Sequence, residues 1–479
     1  MRTVDVAIIG AGTAGLQAYA AAALHTENVL LIEQGAYGTT CARRGCMPSK
    51  LMIAAADAAH AVRHAEEFGI RGGPAAIDGQ AVMARVHRLR DHFVRGVVED
   101  TEAIPQERRL RGRARFREPG ILEVDGEPLR ARRIVIATGS TARVPDMLGR
   151  GAGQRLLTID DVFEWNDLPE SVVVFGAGVI GIEAAQFLAR LGVRVCCLSK
   201  GGKIAILTDP HVNEAAHAIL GAEFHLDTDA EIERVENDGC SVSVTFREDG
   251  ETRTERFDYA LAATGREPAL GGLALENSGL KRDRRGVPLS DPATGLCESG
   301  EGPGCAPVFI AGDAEGRAPV LPVASDDGRI AGDNAGRWPG VKAHERKVPL
   351  FVTYSRPSIG IAGMMAEEVA ASGLDYRTGE ASFADQGRAV VEGRARGLLR
   401  IYGEWATGRI LGAEMIGPDA EHHAHLLAWA IGRGLCVPEA LGLPVYHPCT
   451  EEAVRTALRD LCRNLQLDDL AVERIMPSD

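Results

Sequence analysis

The sequence predicts an α/β fold in three parts. Two strand–turn–helix–strand units of the open, parallel-sheet kind are followed by a smaller C-terminal α+β domain. Two observations predict this. The first is an internal repetition: Val4-Asp-Val-Ala-Ile-Ile-Gly10-Ala-Gly12-Thr-Ala-Gly15 is echoed by Ser171-Val-Val-Val-Phe-Gly176-Ala-Gly178-Val-Ile-Gly181. Each is a short apolar run, a G-x-G-x-x-G turn and an alanine-rich helical stretch. A second apolar run closes each unit, at 29–32 and 193–198. The second observation is a change of pattern near residue 347, beyond which mixed strands and helices carry no further glycine motif.

The remaining elements follow in order. Residues 105–132 alternate and carry turn residues (Glu118-Pro-Gly120, Asp125-Gly126), predicting an antiparallel β excursion. Residues 228–256 predict another. Ile134-Val-Ile-Ala-Thr-Gly-Ser140 and Ala260-Leu-Ala-Ala-Thr-Gly-Arg266 are apolar strands running into a glycine turn, one downstream of each repeat. Residues 285–306 are rich in glycine and proline and read as a loop, and Val308-Phe-Ile-Ala-Gly-Asp313 as a further strand. The expected domains are 1–148, 149–270, a segment 271–346 that completes the first, and 347–479.

Composition narrows the function. Of 479 residues 45% are hydrophobic and 25% charged, ordinary values for a chain with packed cores. The net charge of −14 repels phosphate backbones, so no nucleic-acid partner is expected. No uncharged apolar run reaches 18 residues, so no membrane span is expected. The first residues enter an apolar strand that includes Asp5, without a cleavage pattern, and a cytoplasmic protein is expected. Ten cysteines in a chain this long are no disulfide scaffold; in a reducing compartment a close pair is more often catalytic or metal-binding.

Gly10, Gly12 and Gly15 let the backbone approach a pyrophosphate at a helix N-terminus, and Glu33, ending the second strand, is placed for a ribose hydroxyl. Gly176, Gly178 and Gly181 repeat the motif, but the second strand there ends in Ser199-Lys200, with Lys203 beyond. A hydroxyl and a cation accept a 2′-phosphate that an acid would repel, which tilts this site towards NADP(H); NAD(H) remains open if Lys200 is only a solvated lysine. Two such units in one chain imply a flavin and a nicotinamide cofactor working together by hydride transfer through FAD.

Gly38-Thr-Thr-Cys41-Ala-Arg-Arg-Gly-Cys46-Met-Pro48-Ser-Lys50 carries two cysteines five apart. In a regular helix they would stand roughly 8 Å apart, beyond the ~4.4–6.8 Å Cα spacing of a disulfide, so the segment must bend, with Gly45 and Pro48 as the means. The helical stretch beyond puts Cys46 near a helix N-terminus, which favours a thiolate. Core cysteines or half of a zinc site are the competing readings. No second C-x₂₋₄-C completes a zinc site, and no metal is expected.

The C-x₄-C-x-P-S-K pattern, both glycine motifs, both A-T-G turns and Ala311-Gly-Asp313 follow one another as in the pyridine nucleotide–disulfide oxidoreductases, and the chain resembles that family over nearly its whole length. The resemblance implies two Rossmann-like FAD- and NAD(P)-binding domains and a dimerisation domain. It implies Cys46 as the flavin-proximal thiol and Cys41 as the thiol exchanging with substrate. Lys50 resembles a lysine beside the flavin, and Glu183 its ion-pair partner. Thr40, Thr138, Gly139 and Asp313 match the family's other FAD contacts, and Gly265 a nicotinamide-nucleotide contact. Tyr446-His447-Pro448-Cys449-Thr-Glu-Glu452 matches its terminal H-P-x-x-x-E motif. There His447 is the implied acid–base and Glu452 its orienter, since an ordinary histidine pKa of ~6.5 suits proton exchange between thiols. In the family this pair serves the disulfide of the other subunit, which implies a homodimer.

Departures are specific. Cys449 stands where the family has threonine and Pro322 where it often has histidine, and Arg43 and Arg44 separate the redox cysteines. The two arginines favour an acidic partner or simply face solvent; Cys449 is a packed small residue or an extra thiol. Cys196-Cys197 lie on a predicted buried strand. Dihydrolipoamide is the substrate expected first, free or on the lipoyl domain of a multienzyme complex. An NADPH-dependent glutathione-type or mercuric-type reductase, or a flavin-linked redox or metal sensor, is the alternative.

Overall fold

The computed structural model describes residues 1–467 except 72, 74, 249 and 300–305. Two compact units emerge: residues 1–51, 84–143 and 265–346, and residues 52–83, 144–264 and 347 onward.

In the first unit the strand Arg2–Ile9 runs parallel between Val29–Glu33 and Glu127–Ile136, with Ile9 opposite both Ile32 and Ile136. Arg109–Arg111 extends one side, and Val308–Ile310 pairs parallel with Glu127–Ile136. The excursion expected over 105–132 forms as the antiparallel strands Ala114–Glu118 and Ile121–Val124. The apolar runs of the central strands are nearly continuous because helices cover the sheet. Helix Thr13–Ala22 lies against helix Leu321–Arg337 through small residues: a Cβ on Gly328 would stand 2.2 Å from the Ala14 carbonyl oxygen, and one on Gly332 as close to that of Ala18. That contact explains the alanine run of the first helix. Pro322 falls in the first turn of the other, where a missing N–H costs nothing. Isolated bridges, Ser290 with Cys297 among them, occur where only a loop was expected over 285–306.

The second unit repeats the parallel pattern: His225–Asp227, Arg194–Leu198, Ser171–Phe175, Tyr259–Ala262 and Leu156–Leu157 lie in that order. Cys196 and Cys197 are buried here, and burial pushes both thiols well above the usual range. The meander Glu231–Asn237, Val242–Glu248, Glu251–Phe257 fills the expected 228–256 stretch. From 350 an antiparallel five-stranded sheet follows, covered by helices Ala420–Gly432 and Glu452–Asn464. Phe383, Leu399, Ile401, Met415, Leu427 and Leu461 form its core. Among the described residues, no helix is long and apolar enough to cross a membrane.

A buried charge network crosses this unit. Arg190 grips Glu223 through Nε and Nη2 at 2.7 Å each, and also reaches Asp57 Oδ1 at 2.9 Å and the Arg356 carbonyl at 2.8 Å. His60 lies beside it. Burial first, then the charge of Arg190, lowers the His60 pKa to about 4. The unfolded chain takes up that proton near pH 6.5 and the folded chain only near 4, so this stability is lost as pH falls between those values. A His60→Gln variant should lose less of its melting temperature between pH 7 and pH 5 than the parent does. Equal losses in a thermal scan would contradict this.

Candidate active site

Two cradles are built alike. Gly10 takes φ +110°, and a Cβ there would meet the Ala137 carbonyl oxygen at 2.3 Å; on Gly15 it would meet the Gly10 oxygen at 1.8 Å. At Gly12 it would meet nothing within 4 Å, and this open hollow sits at the start of helix Thr13–Ala22. Gly176 (φ +113°), Gly181 and Gly178 reproduce the pattern at helix Val179–Arg190, with Ala263 in the place of Ala137. Tight backbone on both sides of an open position facing helix N–H groups suits a pyrophosphate.

Around the first cradle, Glu33 Oε2 accepts from the Ala11 N–H at 2.7 Å and Oε1 from Gly35 at 2.7 Å, which fixes its carboxylate at the strand end. Thr138 Oγ1 is buried without a hydrogen-bond partner among the described residues. Gly139 follows at φ +71°. Asp313 accepts from Ser140 Oγ at 2.6 Å, and Arg266 Nε donates to that hydroxyl at 2.8 Å. The open hollow, the orphaned hydroxyl and the anchored acids fit FAD.

At the second cradle Ser199 is pinned by its backbone, N to Asp227 O at 2.8 Å, and Lys200 is exposed. Lys203 is committed to Glu367 at 2.8 Å, so of the basic residues after this strand Lys200 is the one available for a 2′-phosphate. Gly265, at φ +103°, lies in the turn between the strands Tyr259–Ala262 and Arg266–Pro268. Glu183 is buried and accepts the Tyr354 N–H at 2.9 Å through Oε1.

The redox turn is two helices joined at one residue. Thr39 Oγ1 caps the short helix Thr40–Arg44 by accepting from the Ala42 N–H. Gly45, at φ −129° and ψ −113°, breaks the chain, and a new helix, Cys46–Arg63, begins. Pro48 was expected to share in the bend. It lies instead inside the first turn of that helix, where its lack of an N–H is harmless, and Gly45 alone supplies the break. Cys46 is the first helical residue, and the helix dipole there favours a thiolate. The Cys41 thiol is pushed far up, first by its hydrogen bond to Cys46 and then by burial. Lys50 Nζ donates to Ser49 Oγ at 3.2 Å, and Ser49 Oγ donates to the Cys46 carbonyl at 3.2 Å. Arg43 turns inward, Nε to the Tyr37 carbonyl at 2.7 Å, while Arg44 is exposed.

His447 Nδ1 lies 3.0 Å from Glu452 Oε1. A carboxylate there fixes the Nδ1–H tautomer and leaves Nε2 free to accept a proton. Glu452 Oε2 also accepts the Cys449 N–H, at 3.2 Å. Cys449 Sγ donates to the Tyr446 carbonyl at 2.9 Å. Burial first, then the Glu451 carboxylate, raises its pKa. It is thus a protonated, locally bonded thiol rather than an activated one. Two holders of this loop escaped sequence reasoning. Gln386 Nε2 donates to the Cys449 carbonyl at 2.8 Å, and Thr450 Oγ1 to Asp419 Oδ2 at 3.2 Å, with Asp419 gripped twice by Arg394 at 3.0 Å. Gly417-Pro-Asp419 ahead of a helical stretch was the signal for Asp419; Gln386 had none. The His447 side chain is 79% exposed.

Two dinucleotide cradles, a paired-cysteine turn at a helix start and a carboxylate-held histidine define a flavin- and nicotinamide-dependent disulfide oxidoreductase. The chain belongs to the pyridine nucleotide-disulphide oxidoreductase family. The model of that family matches residues 4–328, and the model of its dimerisation domain matches 350–458, which supports a homodimer. The family uses FAD and NAD(P)H. A dihydrolipoyl dehydrogenase of Bacillus subtilis is 30% identical over 463 residues, covering 95% of this chain and 97% of that one. A mercuric reductase of Streptomyces lividans is 29% identical, covering 93% of each. The HOCl-induced flavoprotein disulfide reductase RclA of Escherichia coli has the same fold, with a TM-score of 0.79 at 24% identity over 97% of this chain and 99% of that one.

Proposed function

We propose that the enzyme oxidises dihydrolipoamide, passing two electrons through a Cys41–Cys46 disulfide to NAD(P)+, within a reducing cytoplasm. The observation that carries this is the His447–Glu452 pair at 3.0 Å, in a chain about 30% identical to dihydrolipoyl dehydrogenases. Residues 1–148 and 271–346 would hold FAD through Gly10, Gly12, Gly15, Glu33, Thr40, Thr138, Gly139, Asp313 and Lys50. Residues 149–270 would hold the nicotinamide nucleotide through Gly176, Gly178, Gly181, Ser199 and Lys200, with Gly265 beside them. Residues from 347 would form the subunit interface. The lipoyl domain of a multienzyme complex would be the natural carrier of the dithiol.

The steps follow from the side chains. His447 Nε2 takes a proton from one substrate thiol, and the thiolate attacks Cys41 Sγ. The Cys41–Cys46 bond breaks, a substrate–Cys41 mixed disulfide forms, and Cys46 leaves as a thiolate. The second substrate thiol then attacks its neighbouring sulfur, and its proton passes to Cys41 as the cyclic disulfide departs. His447 keeps the first proton until it is released to solvent. Glu452 stabilises the transient imidazolium. When bound, FAD supplies two-electron transfer between the Cys46 thiolate and the nicotinamide.

A glutathione-type reductase is the second reading, favoured by Ser199-Lys200 in place of an acid. Steady-state rates separate the two. Dihydrolipoamide should be oxidised rapidly with NAD+ or NADP+. Silence there, with brisk NADPH-dependent reduction of glutathione disulfide, would overturn the lipoyl assignment. If Lys200 contacts a 2′-phosphate, Lys200→Glu lowers the NADP+ over NAD+ ratio of kcat/KM by about ten-fold. An unchanged ratio would remove Lys200 from the site.

A further inference from the structure

Strand Ile410–Gly417 of the C-terminal sheet carries a fully buried carboxylate, Glu414. Its Oε2 accepts the N–H groups of Thr208 and Asp209 at 2.7 and 3.0 Å. Its Oε1 accepts the Thr208 hydroxyl at 2.5 Å and the Ala366 N–H at 2.8 Å. Both oxygens thus face donors only, which is what a buried carboxylate requires. The groups it holds are themselves committed. Asp209 caps helix Pro210–Gly221 and receives the Tyr402 hydroxyl at 3.0 Å, and Thr208 Oγ1 accepts the Glu367 N–H at 3.2 Å. Every one of these bonds is made within one chain and one compact unit.

Thr208 and Asp209 end the segment that begins with Ser199-Lys200. Between them, Ala205 takes φ +51°, a left-handed conformation that a residue with a Cβ keeps only where its surroundings impose it. Its N–H donates to the Ala177 carbonyl at 2.7 Å. Ala177 stands between Gly176 and Gly178 in the second cradle. Its carbonyl and the Gly178 N–H belong to one planar trans peptide and point to opposite sides. The bond from Ala205 therefore sets the direction of that N–H, at the position where the cradle is open. From Ala205 to Thr208 is three residues. The stretch is stiffened by the buried side chains of Ile204 and Leu207 and by the Ile204 N–H, which donates to Asn213 Oδ1 at 2.9 Å.

We propose that Glu414 is a positioning residue for the nicotinamide nucleotide. By holding Thr208 and Asp209 it keeps Ala205 against Ala177, and so orients the pyrophosphate turn from a strand of the C-terminal domain. This rests on the second cradle taking that nucleotide; it does not rest on the identity of the dithiol.

Equilibrium binding of NAD+ and NADP+ to the oxidised holoenzyme would be measured for the parent, Glu414→Gln, Thr208→Val and Thr208→Ser. Flavin reduction by NADH and NADPH would be followed beside it in stopped flow. In Glu414→Gln the amide NH2 meets a backbone N–H on whichever side it turns, so the latch opens. Affinity for both nucleotides should fall about ten-fold, by the same factor, because they share the pyrophosphate. The limiting rate of flavin reduction at saturating nucleotide should stay within about two-fold of the parent. Thr208→Val, which loses only the hydroxyl, should weaken binding about three-fold, and Thr208→Ser should restore it. Parental affinity in both Glu414→Gln and Thr208→Val overturns the proposal, even if both melt at lower temperature, since the carboxylate would then only stabilise the fold. A loss confined to NADP+ also overturns it, by placing the effect at Lys200. If Glu414→Gln retains no flavin, the Thr208 pair decides by the same criterion. Gly178→Asp tests the cradle itself, because its side chain fits the open position and sets a negative charge there. Unchanged binding of both nucleotides in Gly178→Asp removes the cradle assignment and the proposal with it. Weakened binding there, with parental affinity in Glu414→Gln and Thr208→Val, removes the proposal alone.

Discussion

A Cys46→Ser variant should retain its flavin yet lose turnover with every disulfide or dithiol substrate, by roughly 10³-fold or more. It should also lose the long-wavelength charge-transfer absorbance of the two-electron-reduced protein. The reason is local. Cys46 opens helix Cys46–Arg63, where the helix dipole favours a thiolate, while the hydrogen bond to Cys46 and burial push the Cys41 thiol up. Cys41→Ser should therefore behave differently: dithiol turnover is lost, but the absorbance persists, because the thiolate that produces it remains. Survival of the band in Cys46→Ser would undo the assignment of the proximal thiol. The two variants must be read together, since turnover alone cannot tell the thiols apart.

The second large effect belongs to His447. His447→Gln should slow exchange with the substrate by about 10²–10⁴-fold while leaving reduction of the flavin by NAD(P)H intact, because only the thiol steps use its proton. Glu452→Gln should cost about ten-fold or more through the misdirected imidazole. Stopped-flow measurement of the two half-reactions separates these outcomes. Equal loss in both halves would mean that the substitution damages the fold around the loop. Cys449→Thr, by contrast, should change little, since the thiol there is a protonated donor to its own loop.

The glycine turns were readable in the sequence because their geometry is local. Gly10 and Gly15 are needed where a Cβ would strike the backbone of Ala137 and of Gly10 itself, and such constraints leave a fixed spacing. The strands that flank them formed where apolar runs ended at those turns. The redox turn was half readable. Cysteine spacing required a bend, but Gly45 and Pro48 looked equivalent, and only the helix register shows that Pro48 sits where a proline is harmless. Long-range partners left no local trace. The pairing of Lys203 with Glu367 spans 164 residues, and that of Gln386 with the Cys449 carbonyl spans 63. The Arg190 network is of the same kind: an arginine at the end of an amphipathic helix reads as a solvated residue until Glu223, Asp57 and the Arg356 carbonyl converge on it.

The most direct measurement is of the two sulfurs themselves. The oxidised holoenzyme would be reduced anaerobically with one equivalent of NADH or NADPH, alkylated with an isotopic label, and mapped by mass spectrometry. Two new labelled thiols should appear per chain, at Cys41 and Cys46, with Cys449, Cys196 and Cys197 equally labelled before and after reduction. Oxidation of the nicotinamide without new thiols at Cys41 and Cys46, or new thiols elsewhere, would contradict electron flow through this pair.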